Sequence, residues 1–172
     1  MPIQALLFSI AQFLLIVIIL ITFTYVLNRL LIRAIKSNGD GDVKASLSYG
    51  LFFSSLFFSA GMVFKEIGMA GLSVLQVLER GGAQVALVSE MGKYVLYFMG
   101  IGLVCLFLVI ALSSYLYFLI RKVGILTSIA RDDSSGSIFF SVGVVTFTLI
   151  SLGYLRQILE YFIPYPSVPG FG

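Results

Sequence analysis

Four long apolar runs without a single charge constrain this chain more than any other feature. They cover residues 5–27, Ser46 to Phe64, Tyr94 to Ile120 and Ser137 to Leu155. At 1.5 Å per residue the first covers roughly 34 Å as a helix, enough for the hydrocarbon core of a bilayer with some tilt. Its β-branched residues would favour a strand in water. In lipid the backbone must satisfy its own hydrogen bonds, so helix is the expected form. Charged residues make up 11% of the 172-residue chain; a soluble domain carries about 25%, so little aqueous surface is expected. The sequence therefore predicts an all-α integral membrane protein with four transmembrane helices in a single membrane domain, 1–172. The opening MPIQALLFSIAQF has no basic region before its apolar stretch, and no cleavage is expected there.

The segments between the spans are short and polar. Arg29, Arg33 and Lys36 continue the first helix at helical spacing, and Gly39 is a natural stop. The following GDGD does not fit a calcium loop, because position five of that register is Lys44 and no Glu falls at position twelve. Asp42 is expected as the N-cap of the second span, and Asp133 as that of the fourth, where a carboxylate meets free N–H groups and the positive end of the helix dipole. The second span should end at Lys65 and Glu66. Leu72, Leu75 and Leu78 then predict a separate short amphipathic helix before Gly81-Gly82. The final PYPSVPGFG reads as an extended tail.

Small residues recur at helix-packing spacing. Ser46, Gly50 and Ser54 lie at i, i+4 and i+8, and Ser55 and Ser59 repeat the interval on a neighbouring face. Ser137, Ser141, Gly143, Thr146 and Thr148 are their counterparts in the fourth span. Such positions let helix backbones approach closely in lipid. The same hydroxyls are also candidates for lining a hydrated path. Phe52, Phe53, Leu56 and Phe57 are expected on the opposite face. Gln12 is a candidate for an interhelical hydrogen bond, and Gly100 and Gly102 for close approach.

Shifting the chain by 91 positions aligns Asp42 with Asp133, Ser46 with Ser137, Tyr49 with Phe140, Ser55 with Thr146 and Lys65 with Arg156. This predicts two tandem helical hairpins of the same orientation: repeat one about 5–66, a connecting segment about 67–93, repeat two about 94–163, and a tail 164–172. Lys65 with Glu66, and Arg156 with Glu160, fall at corresponding ends and should come close across a pseudo-twofold axis. The two short hairpins hold seven bases, Arg29, Arg33, Lys36, Lys44, Arg121, Lys122 and Arg131, against four elsewhere. The positive-inside rule then puts both hairpins in the cytoplasm and both termini outside.

The stretches GDVKASLSYGLFFSSLFFSAG and ARDDSSGSIFFSVGVVTFTLISLG, each a polar acidic turn followed by a small-residue, glycine-bearing helix, resemble the bacterial inner-membrane proteins of domain of unknown function three hundred and fifty. The 65–93 connection is longer than that family's pattern. The resemblance implies four transmembrane helices in a bacterial inner membrane and no established activity.

The chain has no His and one Cys, Cys105, inside an apolar run, so no metal or other cofactor is expected. It has no Walker loop and no nucleophile elbow, and its acids sit only at span ends or in loops. The expectation is a non-enzymatic membrane protein, a structural or accessory subunit of a membrane complex packing through its Ser/Gly faces; the alternative is an oligomeric channel or solute path lined by Ser and Thr. Expected partners are membrane lipid and a second copy or another membrane protein, with no nucleic acid.

Overall fold

The computed structural model describes residues 3–36, 46–80 and 87–163, and every regular element among them is helical. Helix α1 spans Ile3–Lys36, α2 Leu47–Arg80, α3 Leu87–Arg121, α4 Ile125–Ala130 and α5 Ser134–Tyr161. Four of these contain segments long and apolar enough to cross a membrane: Phe13–Lys36, Leu47–Leu78, Gly92–Arg121 and Ser134–Tyr161.

The pair α2 and α5 shares the largest interface, and α3 packs against both. Contacts between α2 and α5 advance together along the two chains, from Ser46 with Asp132 to Ser59 with Thr148, so the helices run parallel. Helix α3 is antiparallel to α5: Tyr117 sits over Phe140 near one end, and Ser113 faces Gly143 a turn further on. Helix α1 lies outside this trio. It is antiparallel to α2, with Phe23 edge-on to Phe64 at 5.8 Å and Ile16 seated directly on Gly68.

Two apolar clusters fill the bundle. One, toward the end of α2 beyond Lys65, gathers Val63, Phe64, Ile67, Val74, Phe98, Leu106, Leu155 and Leu159. The other, at the hairpin end, gathers Ile35, Phe52, Leu56, Tyr117, Ile129, Phe140 and Val144. The six-residue helix α4 plugs this second end. Ile129 is buried against the bundle, and Ile125 and Leu126 pack beside it.

Two sequence expectations change. Helix α2 does not end at Lys65 and Glu66; it runs on to Arg80, so the separate amphipathic helix is its own last four turns. A charged pair limits a membrane span but breaks no backbone hydrogen bond. Ile67, Ala70, Val74 and Leu75 are all buried, at the i, i+3, i+7, i+8 spacing of one helical face. Gly68 is tolerated inside the helix because α1 occupies the space its side chain would need. Helix α3 begins at Leu87, within the Val85–Met91 stretch that could start the third helix ahead of its apolar run. Helix α4 stands where the sequence promised only a polar turn. Residues 37–45, with Asp42 and Lys44, the Gly81-Gly82 break and the 164–172 tail lie outside the described residues, as does the Gln12 side chain.

Candidate functional site: a hydroxyl-bearing helix seam and its two polar ends

The seam between α2 and α5 combines phenyl rings with small hydroxyl residues. On α2 the buried positions are Phe52, Ser55, Leu56, Ser59, Ala60 and Val63, one helical stripe at i, i+3, i+4, i+7, i+8 and i+11. Phe52 meets Phe140 at 5.1 Å between ring centroids. Ser and Ala fill the gaps between the larger side chains and let the backbones come close. Several of the seam hydroxyls bond within the protein. Thr148 Oγ1 lies 2.8 Å from Ser59 Oγ and 2.7 Å from the Val144 carbonyl. Ser55 donates to the Phe52 carbonyl at 2.8 Å, and Ser141 donates across the seam to the Leu51 carbonyl at 3.1 Å. On α3, Ser113 donates to Val109 at 2.8 Å. Ser141 and the Thr148–Ser59 pair tie α5 to α2 directly, whereas the Ser55 and Ser113 protons are committed to carbonyls of their own helices.

The candidate residues therefore separate into two groups. Ser55, Ser59, Ser137, Ser141, Gly143 and Thr148 lie in or beside the bundle interior, whereas Gly50, Ser54 and Thr146 are turned outward. Ser46 is half-buried at the start of α2. A side chain added at Gly50 or Gly61 would meet nothing within 4 Å. The Ser46/Gly50/Ser54 stripe is thus not the face that meets α5. Phe52 and Leu56, expected opposite the packing face, are buried within the seam, because 100° per residue places them with Ser55 and Ser59. Of the two α3 glycines expected at a close approach, Gly102 is covered by Val63 and Ile67 of α2, and Gly100 faces open space.

At the hairpin end a carboxylate from one hairpin caps a helix of the other. Helix α4 closes in a Schellman motif, with Asp132 N–H donating to Ile129 and Asp133 N–H to Ser128, both at 3.0 Å. Asp132 takes the left-handed conformation at φ 54°, the place usually held by glycine. That conformation carries its carboxylate to the start of α2, where it accepts the Ser46 hydroxyl at 2.5 Å and the Ser48 amide at 3.2 Å. Ser46 itself occupies the N-cap position, with its hydroxyl 3.4 Å from the Tyr49 amide. Asp42 lies outside the described residues, and with α2 starting at Leu47 the cap expected of it is supplied by Ser46 and Asp132. The hydrogen bonds from the Ser46 side chain, and then from Ser48, hold the Asp132 carboxyl below the usual carboxylate range. The Ser48 hydroxyl lies near that carboxylate but outside hydrogen-bond geometry, and it and the Ser137 hydroxyl are buried without a partner among the described residues.

Asp133 is the N-cap of α5 and accepts the Gly136 amide at 3.0 Å. Arg121, at the end of α3, lies 3.8 Å from Asp133 and donates to Ser135. Tyr117 crosses above Gly136, where its hydroxyl leaves no room for a side chain, and donates to Ser128 at 2.7 Å. Tyr49 donates to Asn28 and ties α2 to α1. The roles of Asp132, Tyr117, Ser128 and Asn28 are additions from the structure. The signal that could have found Tyr49, Tyr117 and Asn28 is a polar atom next to a span end; the cross-hairpin reach of Asp132 had no local signal.

At the opposite end, Glu66, Arg156 and Glu160 line one cleft between α2 and α5. Arg156 Nε donates to Glu160 at 2.9 Å. Glu66 has a largely buried side chain, and Lys65 approaches it at 3.9 Å while lining a separate, apolar groove against α1. Three of the four charges expected to converge therefore share a cleft.

Among the described residues no group of three His, Cys, Asp or Glu side chains could hold a metal ion, and Cys105 is half-buried with a free thiol. No family model, curated protein or solved structure matches the chain.

Proposed function

We propose that this is a non-enzymatic multi-pass membrane protein that acts as a structural or accessory subunit of a membrane complex. The observation that carries this reading is the split between the two small-residue faces of α2. The face with Ser55 and Ser59 is consumed inside the bundle. The face with Gly50 and Ser54 is exposed, and a side chain added at Gly50 meets nothing within 4 Å. Small residues on an outward face allow a helix of another subunit to approach closely. The internally bonded hydroxyls favour packing over a solute path through a single chain; a path between subunits stays as the alternative.

Two tandem hairpins fit this role. The parallel α2 and α5 meet at sequence separations of 86, 90 and 89 along the seam, close to the 91-residue shift that aligns the two halves. Equivalent helices would then lie about an axis along the membrane normal, as in parallel repeats. Hairpins toward the cytoplasm of a bacterial inner membrane, and membership of the family the sequence resembles, complete the proposal.

The test is the double variant Gly50→Leu with Ser54→Leu, purified from mild detergent. A lost oligomer or lost co-purifying membrane protein, with helicity retained, is the expected result. Unchanged oligomeric state and partner recovery would remove the packing role.

A further inference from the structure

We propose that the cleft between the far ends of α2 and α5 binds a primary ammonium group carried on an apolar chain. The inference rests on reading the chain as a membrane protein, and it is independent of which face meets a partner.

The depth of the cleft comes first. Glu66 follows Ser46 by twenty residues of α2, roughly 30 Å along the helix, which is the thickness of the hydrocarbon core. Arg156 follows Ser134 by twenty-two residues of α5, roughly 33 Å. With the hairpin end at one interface, the cleft lies in the interfacial layer of the other, where headgroups and chain ends both reach.

The charges come next. The cleft, about 210 Å³ in volume, carries two carboxylates and one guanidinium. Arg156 is engaged by Glu160 at hydrogen-bond distance. Glu66 is 12% exposed, and its one ion pair among the described residues is the 3.9 Å approach of Lys65, too long for a hydrogen bond. Arg156 acts on Glu66 through its charge and Lys65 approaches it, but neither donates a hydrogen bond to it among the described residues, so its oxygens can accept from an added cation that brings N–H groups. Met69, Leu159 and Ile163 complete the wall, so the preferred cation is one joined to methylenes rather than a hydrated metal ion. An ammonium with three N–H donors meets Glu66 directly and has Glu160 on the opposite lip.

Two sources share this chemistry: the ethanolamine headgroup of a phospholipid and a free long-chain amine. Binding to the purified full chain is measured by native mass spectrometry with phosphatidylethanolamine, with phosphatidylcholine of the same acyl chains, and with dodecylamine. The choline lipid carries the same phosphate but no N–H donor. The expected result is retention of the ethanolamine lipid over the choline lipid by roughly tenfold or more, the scale of one hydrogen bond to a charged group. Retention of dodecylamine without that preference would assign the site to a free amine. Glu66→Gln should abolish the discrimination, and Glu160→Gln, at a half-exposed position that cannot fail through burial, should weaken it. Equal retention of both lipids together with no dodecylamine binding, or discrimination unchanged in Glu66→Gln, would overturn the proposal.

Discussion

Two glycines of α3, two residues apart, should respond to the same substitution with opposite sign. A glycine inside a helix costs about 1 kcal/mol relative to alanine through lost chain freedom. At Gly100 a methyl group meets nothing within 4 Å, so Gly100→Ala should stabilise the protein by up to about 1 kcal/mol. At Gly102 the methyl would press on the Ile67 side-chain terminus and sit 3.1 Å from Val63 Cγ1 and 3.2 Å from Ile67 Cγ1. The Ile67 tip can rotate, but the two deeper carbons belong to buried side chains and move only with α2. Overpacking of this kind costs typically about 1–3 kcal/mol, which cancels or exceeds the helical gain. Gly102→Ala should therefore be neutral to destabilising by about 2 kcal/mol, leaving the two variants about 1–3 kcal/mol apart. Unfolding by sodium dodecyl sulfate in mixed micelles, followed by far-ultraviolet circular dichroism, measures both. Equal stabilities for the two variants would refute the close α2–α3 approach.

The seam and the hairpin-end cap give two further expectations. In a double-mutant cycle of Ser59→Ala and Thr148→Val, the coupling should be about 0.6 kcal/mol and no more than about 1.7 kcal/mol, the range for hydrogen bonds between membrane helices; zero coupling would mean that the two hydroxyls do not meet. The carboxyl of Asp132 is held below its ordinary range, so its contribution is present above the unfolded-state value and is lost as pH falls through the folded-state value. Stability measured on acidification should fall less steeply in Asp132→Asn than in the wild type, because the variant has no charge to lose; identical acid profiles would contradict a capping role.

The residues show what a single chain makes legible. The four long apolar helices were readable because uncharged apolar runs of this length are expected to be helical and because charges mark where such runs stop. The same charges misplaced the end of α2, since Lys65 and Glu66 limit hydrocarbon without interrupting the helix, and Ile67, Ala70 and Val74 continue its buried face. The importance of small residues was visible, but the choice of face was not: Ser46/Gly50/Ser54 and Ser55/Ser59 have the same spacing, and only a neighbour decides between them. Asp133 was readable as a cap because it precedes its own helix. Asp132 was not, because it caps a helix 84–86 positions away through a left-handed turn. Helix α4 was hidden by its length, six residues in which Thr127 and Ser128 interrupt the apolar ones.

The central claim is that α2 and α5 lie parallel and in contact within one chain. Cysteines placed at Ser59 and Thr148 in a Cys105→Ser background, oxidised in native membranes, test it most directly. The expected product is a disulfide within the monomer, seen as a shift in gel mobility without dimer formation, and none for the outward-facing pair of Ser54 with Thr146. Failure of the Ser59–Thr148 pair to cross-link, or cross-links formed only between chains, would contradict it.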